Sequence, residues 1–221
     1  AGHRALEALG DDTPDQVVSK EEAYRRLRDQ ADRSDLAREA DLFLGAFLLP
    51  KTDRERCPTT QDLLALRGQE APEEGHRERL EAASRICREA RVLHWPLAFP
   101  APLARGGFDC VLGNPPWEVS QLSEKEYFES KDPDLARLAG ARRKMAIQAL
   151  REQNPRLWKE YESSKRSYAA SNVFYRSGCR FSLTNHGKMN VYALFAETCR
   201  RLMAPRGRAG LVVPTGIATD D

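Results

Sequence analysis

Two consecutive prolines, Pro115 and Pro116, follow the apolar run Phe108-Asp109-Cys110-Val111-Leu112-Gly113 with only Asn114 between. Proline fixes its own φ, has no backbone N–H and pushes the preceding residue out of the helical region, so neither a helix nor a central strand passes through this point. A short apolar run bounded by glycine and proline predicts a buried strand over 108–113, ending in the sharp turn Asn114-Pro115-Pro116-Trp117. A second such run, Ala209-Gly210-Leu211-Val212-Val213-Pro214, follows a stretch of helical spacing. That stretch starts at Asn190, its expected cap, presents Val191, Leu194, Phe195, Thr198 and Leu202 on one face, and is ended by Pro205-Arg206-Gly207. Helix, glycine, then buried strand is half of an α/β unit, so the expected fold class is α/β.

Before the first strand the chain reads as helical. Residues 1–18 form a polar lead-in. Ser19 with Glu22 has capping-box spacing and predicts a helix over 20–49, stopped by Pro50 and buried at its apolar later part. Thr59 or Thr60 caps a short helix over 61–67, and the spacing of Leu80, Ala83, Ile86 and Ala90 predicts another over 76–90. Residues 92–95 are a candidate short strand, and Pro96, Pro100 and Pro102 predict an extended, irregular connector. After the Pro-Pro turn, 119–170 reads as helices divided at Asn154-Pro155, and 171–188 as loop. The expected organisation is a helical N-terminal region, 1–90, and an α/β part, 91–221, carrying a helical insertion over 119–180.

Charge is unevenly spread. The chain has 35 Lys/Arg against 33 Asp/Glu, a net +2, which excludes a strongly basic tail and an acidic disordered segment. Residues 119–180 hold 13 Lys/Arg against 8 Asp/Glu, so the remainder is net acidic. The longest apolar stretch, Leu42 to Leu49, falls far short of the roughly 20 residues of a membrane span, and no basic-then-apolar leader opens the sequence. Five scattered cysteines, Cys57, Cys87, Cys110, Cys179 and Cys199, suit reduced thiols better than a disulfide framework, and the histidines lack metal-ligand spacing. The expected location is cytoplasmic, with no membrane partner and no metal.

The turn itself carries chemistry. Ligands in open α/β sheets sit at the carboxyl ends of strands. Two prolines remove two donors there, leaving the Asn114 side-chain oxygen and the backbone carbonyls as fixed acceptors beside the indole of Trp117. An exocyclic amino group on adenine is a poor nucleophile because its lone pair is delocalised into the ring. Two acceptors gripping its N–H bonds draw the nitrogen toward a tetrahedral, nucleophilic state, and fixed dipoles stabilise the charge that develops on it. The base must first leave the duplex stack, and an aromatic plane then holds it.

Phe108 to Trp117 resembles the catalytic strand and loop of the amino-group DNA methyltransferases, whose tetrapeptide is Asn/Asp/Ser-Pro-Pro-Tyr/Phe/Trp. The Asn form is typical of the gamma class, which methylates adenine N6. The Trp form, the long helical insert, Gly187-Lys188-Met189-Asn190-Val191-Tyr192-Ala193-Leu194-Phe195 and Val213-Pro214-Thr215-Gly216-Ile217 resemble the large restriction–modification and phage-defence methylases. The resemblance covers about residues 90–221. It implies a partial Rossmann-like methyltransferase sheet, S-adenosyl-L-methionine as cofactor and double-stranded DNA with a flipped adenine as partner. It also implies that Asn114 and the Pro115 carbonyl bind the amino group, with Pro116 in the same catalytic turn and Trp117 stacked on the base. Asn190 corresponds to the start of the helix near the cofactor. Arg142, Arg143 and Lys144 are candidate phosphate contacts in the basic insert.

The chain departs from that pattern in one respect. The family binds its cofactor with a glycine-rich loop after its first strand, upstream of the Asn-Pro-Pro motif in the gamma class. Residues 1–113 contain no Gly-x-Gly. The expectation is a fragment whose missing upstream and downstream parts belong to the same polypeptide, inactive by itself. The alternatives are a non-catalytic nucleic-acid-binding or truncated remnant of the fold, and a methyltransferase acting on RNA adenine or protein glutamine.

Overall fold

A computed structural model describes residues 5–6, 8–52 and 54–219, with Arg54 through its backbone only. The chain divides into two compact units: one runs through Asn114 and includes Thr198–Val212, and the other comprises Pro115–Glu197 with the residues from Val213 onward.

The first unit is helical up to residue 104. Helix α1 spans Pro14–Asp32 and starts six residues before the expected Lys20. Two start signals compete, and Thr13 wins: Thr13 and Gln16 form a reciprocal capping box, and Pro14 sits where its missing N–H has no cost. The single helix expected over 20–49 is two, because Ser34 caps a separate α2 (Asp35–Leu48) by accepting from the Ala37 N–H. The end of α2 is not buried all round. Leu42 and Gly45 are covered, whereas Phe43 is 49% exposed and packs edge-on against Phe47.

Helix α3 (Thr60–Leu66) is capped by Thr59, and α4 spans His76–Glu89. Helices α2 and α4 approach closely at Gly45, where a Cβ would come within 2.7 Å of the Ala83 Cβ. Asp62, 1% exposed, ties α3 to α4: it accepts from Arg79 Nε at 2.7 Å, from the Thr59 N–H at 2.8 Å, and lies 2.7 Å from His76 Nδ1. The strand expected at 92–95 and the extended connector are instead two short helices, α5 (Trp95–Ala98) and α6 (Pro100–Ala104). Their prolines fall in first turns, where a fixed φ suits helix, and Trp95 stacks on Phe99 at 5.4 Å.

Strands β1 (Phe108–Gly113) and β2 (Met203–Leu211) pair in parallel, with Cys110 opposite Arg208 and Gly113 opposite Leu211. β2 begins earlier than expected, and Pro205-Arg206-Gly207 lies within it. The register is irregular between Phe108 and Cys110, so the donor-less Pro205 sits where the ladder is interrupted. A Cβ on Gly207 would meet the Phe108 oxygen at 2.7 Å. The strands are not buried as expected. With one pairing neighbour each among the described residues, they leave Leu112 78% exposed.

The second unit holds α7 (Glu124–Glu129), α8 (Pro133–Arg137), α9 (Gly140–Gln153) and α10 (Pro155–Ser177). Asn154-Pro155 divides α9 from α10, the Asn154 side chain accepting from the Leu157 N–H. α10 runs through the first seven residues of the expected loop 171–188, to Ser177. Phe128, Leu135, Ile147, Leu150 and Tyr161 form one core cluster, and Phe181, Met189 and Leu194 with Phe174 and Tyr175 form another. Helix α11 spans Val191–Leu202. Tyr192, Leu194, Glu197, Cys199 and Leu202 are its buried positions, while Phe195, expected inside, is 46% exposed. Among the described residues no helix is long and apolar enough to cross a membrane.

Candidate functional site

The carboxyl end of β1 is held to its last residue: the Val212 N–H donates to the Gly113 carbonyl at 3.0 Å. Asn114 therefore leaves the ladder at a fixed point, and it is exposed. The chain then enters the second unit, where Pro115 is buried, Pro116 is exposed and Trp117 is 54% exposed.

The segment after Trp117 is clamped to the residues that lead into α11. The Val191 N–H donates to the Glu118 carbonyl at 3.0 Å and the Ser120 N–H to the Met189 carbonyl at 2.8 Å, with Val119 bridging Asn190 in antiparallel sense. Asn172 Nδ2 on α10 adds a third tie, to the Ser120 carbonyl at 2.7 Å. Asn190 is thus engaged through its backbone, and its Nδ2 donates to Tyr192 Oη at 3.2 Å. The structure brings Asn190 to the segment that follows Trp117.

Two supporting residues were missed by sequence reasoning. Glu197, 4% exposed, accepts from the Ser182, Leu183 and Thr184 N–H groups and from Thr184 Oγ1 at 2.8–3.2 Å. One carboxylate thereby satisfies four donors of the loop preceding the clamp. Arg176 holds the next stretch, donating to the Asn185 and Gly187 carbonyls. A carboxylate three residues after Leu194, on the apolar face of α11, was the available signal.

The basic candidates on α9 part company. Arg142 and Lys144 are exposed, whereas Arg143 is half-buried and donates from Nη2 to the Ala136 carbonyl at 3.1 Å. Tyr161, Phe174 and Tyr175 pack within the unit. Burial pushes the Cys87 thiol up to about 12, so it is no nucleophile. His76 and His94 each face an aspartate, Asp62 and Asp41. Among the described residues no group of three His, Cys, Asp or Glu is placed to hold a metal ion.

The residues present form no evident site for S-adenosylmethionine. Such a nucleoside cofactor is held where a strand runs through a glycine turn into a helix, whose free N–H groups and close backbone approach accommodate it. Here β1 runs into Asn114-Pro115-Pro116-Trp117 and β2 into Val212-Val213-Pro214-Thr215. Neither turn fits the cofactor.

The model of the Eco57I restriction-modification methylase family matches residues 59–220, well over half of the chain. No curated protein and no solved structure matches it.

Proposed function

The chain belongs to the Eco57I restriction-modification methylase family, and from that premise we propose that it carries the amino-group-binding part of a gamma-class DNA adenine-N6 methyltransferase. In this reading β1 and β2 are part of a Rossmann-like sheet, and residues 91–221 belong to its catalytic core. The observation that carries it is an exposed asparagine at the carboxyl end of a parallel strand, followed by two residues without N–H donors and by a half-exposed indole.

The Asn114 side-chain oxygen and the Pro115 carbonyl accept the two N–H bonds of an extrahelical adenine, and Trp117 stacks on its ring. The two acceptors act most strongly as positive charge builds on the nitrogen, so they favour the transition state over the ground state. The methyl group would come from S-adenosyl-L-methionine held by a longer polypeptide, with S-adenosylhomocysteine as the leaving group and one amino proton lost to solvent. The net positive balance of 119–180 favours a polyanion over a protein glutamine as substrate.

Because neither turn fits the cofactor, the 221-residue chain alone is expected to bind S-adenosylmethionine weakly or not at all. A longer polypeptide that adds a strand with a glycine turn is expected to methylate DNA. Calorimetry on the chain, and a tritiated-methyl assay with nucleoside analysis on the longer polypeptide and its Asn114→Ala variant, test this. Loss of N6-methyladenine in the variant, with the fold intact by circular dichroism, supports the reading. Full activity of the variant reduces the motif to a turn. The misfit also favours a second reading, a nucleic-acid-binding remnant, which is adopted if the longer polypeptide binds DNA and transfers no methyl group.

A further inference from the structure

Helix α10 opens with Pro155-Arg156-Leu157-Trp158-Lys159. Both cations sit near the positive end of the helix dipole, where they oppose helix stability. Their placement needs another reason. An open cleft of about 550 Å³ runs along this part of the helix, lined among others by Tyr127, Lys131, Arg156, Lys159, Glu160 and Ser163. Lys131 Nζ lies 3.1 Å from Glu160 Oε2, and Arg156 Nε lies 3.2 Å from Glu160 Oε1, so one carboxylate gathers two cationic heads at one spot. Lys159 has no ion-pair partner among the described residues, which leaves three cations against one anion. The Tyr127 ring is covered by Lys131 Nζ at 5.0 Å from its centroid and offers no face for a base.

We infer that this cleft, built from Lys131, Arg156, Lys159 and Ser163, is a contact for the phosphodiester backbone of duplex DNA. The inference rests on the DNA-methyltransferase reading and specifies a partner contact for it. The cleft is open and lined by three cationic side chains, carries a hydroxyl donor and lacks a stacking slot, which suits a chain of phosphates read without regard to sequence. Glu160 stands against an arriving phosphate, and its role is to hold Lys131 and Arg156 together in the free protein. Arg143 does not line this cleft; its Nη2 donates to the Ala136 carbonyl of α8.

The test is fluorescence anisotropy of a labelled duplex with the 221-residue chain across a salt series. The triple variant Lys131→Gln/Arg156→Gln/Lys159→Gln is compared with Arg77→Gln/Arg85→Gln/Arg88→Gln, an equal charge change on exposed positions of α4. The cleft triple should lose at least about tenfold in affinity and lower the log–log salt slope by about 2 to 3, roughly one per phosphate contact, equally for unrelated DNA sequences. The α4 triple should leave the slope unchanged. Glu160→Gln should tighten binding several-fold, a gain that no purely structural role predicts. Equal losses in the two triples, an unchanged slope in the cleft triple, or no DNA binding by the chain would overturn the inference. So would binding of inorganic phosphate that is lost in the cleft triple while DNA binding persists. Methyl transfer abolished by Asn114→Ala, together with an unchanged slope in the cleft triple, would remove the cleft and leave the proposed function standing. DNA binding through the cleft with no methyl transfer by the longer polypeptide would do the reverse.

Discussion

The Val191 N–H donates to the Glu118 carbonyl at 3.0 Å, joining the first residue of α11 to the residue that follows Trp117. Seventy-two residues separate the partners in sequence, and the intervening chain forms four helices. The indole side of the candidate turn is thus anchored by a backbone pairing and not by the turn alone.

Val191→Pro isolates that anchor. Position 191 opens α11, where proline suits the first turn, so the substitution removes the donor to Glu118 and leaves the helix intact. The expected cost is about 1 kcal/mol, read as a drop of roughly 2–4 °C in the melting temperature. Tryptophan fluorescence should shift with it, because Trp117 loses its fixed neighbour. An unchanged melt and spectrum would show that the clamp holds nothing.

Glu197→Gln turns one acceptor oxygen into an NH2 group facing backbone donors. At least one of the Ser182, Leu183 or Thr184 N–H groups is then left without an acceptor, at about 1–3 kcal/mol. Hydrogen exchange at Leu183 and Thr184 should accelerate by at least tenfold, while exchange in α2 and α4 stays as it was.

Acid sensitivity should centre on Asp62. Burial alone would raise its pKa, but hydrogen bonds from Arg79, His76 and Thr59 outweigh burial and bring it from 3.8 down to about 2. A depressed carboxylate stabilises the fold above its unfolded pKa and loses that contribution as pH falls from about 4 to about 2. The amount is about 2 kcal/mol. Asp62→Asn should be less stable at neutral pH by about 3 kcal/mol, since it strands the buried Arg79. In urea titrations its deficit should shrink between pH 4 and pH 2, and a constant deficit would show that Asp62 does not titrate with folding.

Gly107 should be the most demanding glycine of the strand pair. Its φ is +126°, and a Cβ there would come within 2.5 Å of the Ala204 nitrogen and the Met203 carbonyl carbon, both backbone atoms. Gly107→Ala is expected to destabilise by at least about 3 kcal/mol. Gly68→Ala, with φ +68° and nothing within 4 Å, should cost about 1 kcal/mol. Similar midpoints in denaturant would refute the close approach of residue 107 to β2.

Several local signals hold in the structure. Phe108–Gly113 is the strand that its apolar run and the following prolines predicted, Thr59 caps its helix, and Asn154-Pro155 breaks the long helical stretch. Each rests on φ restrictions or on hydrogen bonds that reach three or four residues, and these are properties of adjacent side chains. Where two local signals competed, as at Thr13 and Ser19, spacing alone did not rank them, and Pro14 settled the start.

What the chain does with its faces was decided elsewhere. Leu112 and Phe195 read as buried and are exposed; Glu197 was missed and is buried; Arg143, a candidate phosphate contact, also donates to the Ala136 carbonyl. The tie between 118–120 and 189–191 leaves no mark in either segment. The residues from Phe108 to Trp117 thus set, by sterics and missing donors, a strand, a rigid turn and the acceptors it offers. Tertiary structure alone settled what anchors that turn and which cations remain outside, because burial and pairing depend on segments brought together from far along the chain, and nearest-neighbour preferences carry no information about them.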